Sequence, residues 1–207
     1  MASTASPYGL RAVNELGGLP YAGSTRTFLI DPAGYNTNIF NGTVVYVNSS
    51  GYINIVTGTG ADGTTNSFPG SGTLTGAVGV FVGCSYVNAQ GQQIWSQYYP
   101  ANTTGVVTAL VIDDPNTVFQ VQANGSMAQT TLGNNVFFAN AQSTSTGSTT
   151  TGNSNVAVSS SSQTTTAAFR IIGFANVPGF SQVGDAYTDL LVKFNPGYHS
   201  YTNAVGV

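Results

Sequence analysis

Gly105-Val-Val-Thr-Ala-Leu-Val-Ile-Asp-Asp-Pro-Asn-Thr-Val-Phe-Gln-Val-Gln122 holds the two patterns that decide the fold. Its first half, through Ile112, is the longest apolar strand candidate in the chain. Asp113-Asp-Pro115 stops it, because proline lacks the ladder N–H and pushes its predecessor away from helical backbone. The second half, Thr117–Gln122, alternates with period two. Thr117, Phe119 and Val121 share one face, and Val118, Gln120 and Gln122 share the other. The first face is the expected core side.

The same style continues outward in both directions. Towards the N-terminus, Thr27-Phe-Leu-Ile30 reads as a short strand ended by Asp31-Pro-Ala-Gly34. Thr43-Val-Val-Tyr-Val47 and Tyr52-Ile-Asn-Ile-Val56 flank Asn48-Ser-Ser-Gly51 and predict a hairpin. Ala77-Val-Gly-Val-Phe-Val82 is a nearly continuous apolar strand. Gln92–Tyr99 alternates loosely, and Pro100 ends it. Towards the C-terminus, Ala168–Phe174 and Asp189–Phe194 are strands. Residues 126–139, with Met127, Ala128, Leu132 and Val136 at roughly helical spacing, predict a short helix that Gly133-Asn-Asn135 ends early. Residues 141–166, dominated by Ser, Thr, Gly and Gln, predict a long flexible surface loop, with Val156-Ala-Val158 as its one possible strand.

About ten short strands with frequent turn signals predict an all-β protein, a β-barrel or a jelly-roll-like sandwich. Residues 1–26 mix Gly, Ser and Pro with scattered Leu, Val and Tyr. They are too glycine-rich for a helix and too apolar to float free, so an extended N-terminal arm is expected, or else a loop packed on the chain's own barrel. Residues 27–207 form the main domain, with a possible subdivision near 88–92.

Composition narrows the function. Charged residues make up 5% of the 207-residue chain, against about 25% in an ordinary soluble domain. Few ionisable groups are left to move protons, hold metals or grip phosphate, so a structural or binding protein is expected rather than an enzyme. With four Lys plus Arg and a formal charge of −3, no basic patch for nucleic acid is expected. No apolar run approaches the roughly 20 residues that span a bilayer, and Met1–Pro7 lacks the pattern of a secretory signal. The single Cys84 lies in an apolar strand-like run with no cationic neighbour, and reads as a buried core residue.

The candidate chemistry is thin. Asp113-Asp114 could ligate calcium or act as acid and base, with Asp185 and Asp189 joining them only if folding brings them there. Directly before Pro115 the pair more naturally makes an Asx-type turn. His199 stands alone between Tyr198 and Tyr201, and no serine sits in a Gly-x-Ser-x-Gly elbow. No phosphate loop or zinc spacing is present. No catalytic residue, metal or cofactor is expected. Tyr52, Trp95, Tyr98 and Tyr99 are the aromatics able to stack on sugars.

Several segments resemble small tailed-phage virion proteins. They are Ala2-Ser-Thr-Ala-Ser-Pro-Tyr-Gly-Leu-Arg11 with Leu16-Gly-Gly-Leu-Pro-Tyr-Ala-Gly-Ser24, Asn38–Val45, Gly79–Tyr86, Asp113-Asp-Pro115 and Gly184–Asp189. The resemblance is to the podovirus-like capsid decoration, or cement, proteins and covers most of the chain outside 141–166. It implies an all-β protein on the outer surface of an icosahedral capsid, stabilising the shell where major capsid protein subunits meet. A protein seated on a symmetric shell is expected to self-associate, and a homodimer at a two-fold and a homotrimer at a three-fold both suit it. Arg11, Leu16, Leu19, Tyr21 and Arg26 are the candidate capsid contacts. The alternative expectation is a carbohydrate-binding or host-attachment module on the virion.

Overall fold

The computed structural model describes residues 3–56, 76–139 and 147–203. Over these the chain is almost wholly β. The strands, in order, are β1 (Arg11–Glu15), β2 (Arg26–Ile30), β3 (Thr43–Val47), β4 (Ile53–Ile55), β5 (Gly79–Val87), β6 (Gln93–Ser96), β7 (Val107–Ile112), β8 (Thr117–Gln122), β9 (Asn135–Val136), β10 (Phe169–Phe174) and β11 (Asp189–Phe194). They form two antiparallel sheets. Sheet A runs β1-β8-β11-β10-β9; sheet B runs β2-β7-β5-β3-β4, with β6 paired to the far half of β5.

β7 and β8 are consecutive in sequence but lie in different sheets. The Asp113–Pro115 break therefore carries the chain from one sheet to the other instead of folding a hairpin. The predicted Asx turn forms there: the Asp114 carboxylate accepts from Asn116 N at 2.8 Å, and its carbonyl accepts from Thr117 N at 3.1 Å. β8 is buried on both faces, not on one. Phe119 and Val121 enter the core, and Val118 and Gln122 are buried as well. The second face is covered by the start of the chain, where Ser6 N donates to Gln122 Oε1 and Gln122 Nε2 donates to the Thr4 carbonyl.

Two hairpins share one turn chemistry. In Asn48-Ser-Ser-Gly51 between β3 and β4, the Asn48 carboxamide oxygen accepts from Ser50 N and Tyr52 N. In Asn88-Ala-Gln-Gly91 between β5 and β6, Asn88 does the same for Gln90 N and Gln92 N. Gly51 and Gly91 take the left-handed backbone, at φ 83° and 80°, that this loop needs. Residues 88–92 are thus a tight hairpin turn inside sheet B.

Sheet A closes on itself. Beyond β9, Ala139 N bonds to the Ala157 carbonyl and Ser159 N to Phe137. Val158 N then bonds to the Gln122 carbonyl, and Asn124 N to Val158, which returns the ladder to β8. Inside this ring Phe119, Phe194, Phe169 and Phe138 form a chain of aromatic contacts with centroids 5.0–5.8 Å apart. Each buried ring contributes roughly 2–3 kcal/mol by its area. The closing strand lies within the stretch expected as a long surface loop. Ser154, Val156 and Val158 are buried, and the Ser154 hydroxyl is satisfied by Val156 N at 3.1 Å. A hydroxyl with a partner costs little to bury, so a Ser/Thr-rich run serves as a core strand. Thr149–Thr151 and Thr164–Thr166 stay exposed, and residues 141–146 of the expected loop lie outside the described residues.

Sheet B encloses a second core. Its edge strands β2 and β4 come into contact, around Ile30, Val45, Phe81, Ala109 and Val111, with Ile39 and Tyr99 from the loops. Gly79 is required where β5 meets β7, since a Cβ there would lie 2.0 Å from the Ile112 carbonyl oxygen.

One further expectation is corrected. The predicted helix at 126–139 is a single 3₁₀ turn, Gln129–Thr131. Past it, Gly133 N and the Asn134 carbonyl pair with Ile171, so β10 captures the backbone as strand. Over its first part the N-terminal segment takes the second of its two expected forms, packed on the chain's own sheets. Leu10 is fully buried in the core of sheet A, β1 pairs with β8, and Ser3 Oγ accepts from Tyr187 N. Apolar Leu10 and a strand edge left open by β8 are what hold it down.

Candidate interaction surface

The candidate catalytic residues converge only in part. β7 ends by delivering Asp113 to the start of β2, where Arg26 Nε approaches its Oδ2 at 2.9 Å, and the Tyr201 hydroxyl donates to the same oxygen at 2.8 Å. The Arg26 guanidinium also lies 5.4 Å over the Tyr201 ring. His199 is fixed beside them by its backbone neighbours: Ala77 N bonds to the Tyr198 carbonyl and Ser200 N to the Ala77 carbonyl. Its Nδ1 accepts from Tyr201 N, which leaves the neutral ring's proton on the buried Nε2. Burial pulls the His199 pKa down to about 4, against the opposing pull of Asp113 and Asp114. An imidazole with one nitrogen occupied and the other sealed in is a staple. It ties the C-terminal segment to the arch between the sheets.

The carboxylates do not assemble. Asp113 and Asp114 sit at the Thr117 end of β8, and Asp189 pairs with Gln122 at the other end. At about 3.3 Å per residue, this separates them by roughly 16 Å. Asp185 is spent on Gln182 N at 2.9 Å. Among the described residues no group of three or more His, Cys, Asp or Glu side chains is placed to hold a metal ion. Asp189 accepts from Gln120 Nε2 at 3.3 Å, and burial raises its pKa. Cys84 is buried in the core of sheet B, where burial pushes its thiol up to about 12.

The five candidate contact residues fall into two groups. Leu16, Leu19, Tyr21 and Arg26 gather around the arch. Leu16 and Leu19 are 50% and 64% exposed at the tip of a turn past β1. Its backbone is held by Glu15 N to the Leu19 carbonyl, Gly18 N to Glu15, and Leu16 N to the Asn116 carbonyl. Tyr21 is half-buried and donates to the Ser24 carbonyl. Arg11 is apart, at the other end of β1, with its guanidinium 4.6 Å over the Tyr8 ring. Arg11 and Tyr21 both border an open cleft of about 420 Å³ whose far wall carries Asn41, Gln97 and Asn153.

Of the aromatics considered for sugar stacking, Tyr99 is fully buried, Tyr98 is stacked on Phe40 at 5.6 Å, and Tyr52 is half-buried. Trp95 alone stands out in solvent, 70% exposed. It belongs to a surface that sequence reasoning passed over. Leu29, Thr108, Ser85 and Trp95 are direct cross-strand partners across β2, β7, β5 and β6, so they stand in one row on one face. Further along that face Val44, Val80 and Ile112 are buried in the core of sheet A. Sheet B thus overhangs sheet A, and its core face runs out into solvent. A strand-by-strand reading assigns both faces of β5 and β7 to the interior, because it cannot see where the covering sheet stops.

Comparison with protein-family models, with curated proteins and with solved structures found no match.

Proposed function

We propose that this chain is a capsid decoration protein, binding the outer surface of an icosahedral phage shell where major capsid protein subunits meet. The observation that carries the reading is the Leu16–Leu19 tip. Two leucines are held in solvent on a turn already fixed by three backbone hydrogen bonds. A pre-ordered apolar tip docks without the entropic cost of ordering a loose arm. The resemblance of the opening segment and of Gly79–Tyr86 to such virion proteins supports the same reading. So does the scarcity of charge, since apolar and amide contacts weaken less with salt than ion pairs do. Many modest contacts repeated over a shell add up to stable attachment.

The test mixes the purified protein with emptied shells and reads co-sedimentation and shell melting temperature. Saturable binding with a raised melting temperature is expected, and a Leu16→Ser/Leu19→Ser double variant should lose most of it while keeping its own fold. Wild-type protein that fails to sediment with shells at every protein and salt concentration overturns the proposal.

A further inference from the structure

The overhanging face of sheet B carries its own information, independent of any shell. Trp95, Val106, Val87 and Leu29 are 70%, 71%, 57% and 48% exposed. With full areas of roughly 150–250 Å² each, they present on the order of 450 Å² of apolar surface. That is about the apolar share, a little over half, of the roughly 800 Å² that one partner contributes to a standard interface. Strands β5, β6 and β7 contain no charged residue, and Arg26 of β2 is turned to Asp113. Two copies of this face can therefore meet without opposing like charges, which otherwise disfavour symmetric contacts.

The row is also shaped to fit itself. Leu29, Thr108, Ser85 and Trp95 read large, small, small, large across adjacent strands. Gly83, the next residue of this face on β5, is covered by the Ser96 carbonyl, so the trough ends at Ser85 and Thr108. A two-fold axis parallel to the strands, offset so that the outer strand β6 of one copy lies over the middle of the other row, drops each Trp95 into the partner's Ser85–Thr108 trough. The operation satisfies both insertions at once, as an isologous contact must. We infer that the chain forms a homodimer through this face, with Trp95 as the central anchor seated between Ser85 and Thr108 of the second copy. This goes beyond the decoration reading and does not depend on it.

The experiment is sedimentation equilibrium of the full chain without shells, combined with fluorescence. Trp95 is the only tryptophan in the sequence, so its emission reports this site alone. Mass should double with rising concentration, and emission should shift to the blue over the same range. Trp95→Ser should weaken self-association at least about thirtyfold, as expected for a central aromatic anchor. Leu29→Lys, at the rim, should weaken it too, with both variants showing wild-type circular dichroism. A chain that stays monomeric at every concentration overturns the proposal. So does a dimer in which Trp95 emission is unchanged, or emission that shifts blue only when shells are added.

Discussion

His199 gives the sharpest test of how the C-terminal segment is held. The ring is about 1% exposed, and burial holds its pKa at about 4 instead of the ordinary 6.5. Above pH 6.5 the residue is neutral in both folded and unfolded chains and contributes no pH dependence. As the pH falls below 6.5 the unfolded chain takes up the proton first, so stability falls until the folded pKa is reached near 4. The interval is about 2.5 units, and at about 1.4 kcal/mol per unit the loss is about 3 kcal/mol. For a chain of this size that lowers the melting temperature by about 6–12 °C. The comparison to make is wild type against His199→Asn, whose carboxamide oxygen can still accept from Tyr201 N. Thermal melts followed by circular dichroism from pH 7 to pH 4 should show the wild type losing about 3 kcal/mol relative to the variant. Asp189, with its pKa raised by burial, contributes the opposite slope in the carboxylate range, but it is common to both proteins and cancels. Parallel curves would refute the reasoning, because they would mean that the imidazole is hydrated in the native state.

Other consequences are as direct. Gly79→Ala places a methyl 2.0 Å from the Ile112 carbonyl oxygen and should cost about 3 kcal/mol, as overpacking does; an unchanged urea midpoint would contradict the close approach of β5 and β7. Leu10→Ala should cost about 2–5 kcal/mol, whereas Leu19→Ser should stay within about 0.5 kcal/mol, and equal effects in urea titration would refute the division of the N-terminal segment into core and tip. Cys84 should not react with an aromatic disulfide reagent at pH 8 until denaturant is added, since its thiol is pushed up to about 12; stoichiometric labelling of the native protein would show the site to be open.

Most strands were legible because their signals are local. β3 lies between Gly42 and Asn48, β8 begins after Asn116, and β11 ends before Asn195. Asn48 announces its turn because one side chain satisfies two backbone amides within four residues; Asn88 does the same, but its segment reads in sequence as a possible subdivision. What stayed hidden depends on partners far along the chain. Nothing local tells that β7 and β8 part company at Asp113, or that Val158 completes a ring opened at Gln122. The exposed apolar row of sheet B was hidden for a related reason. Leu29, Trp95 and Val106 look like core residues in a strand, and only the end of sheet A leaves them uncovered.

Ser3 and Tyr187 are joined by a hydrogen bond across 184 positions of sequence, and Ala77 is pinned by Tyr198 and Ser200 from the chain's last turn. The last contacts of this fold therefore close only when residues 187–200 have left the ribosome. Until then Ser3 and Ala77 lack these partners, although β8 already pairs with β1 and sheet B has all its strands. Such ordering places the closing contacts of the fold late, because contacts so distant in sequence carry a large loop-closure cost.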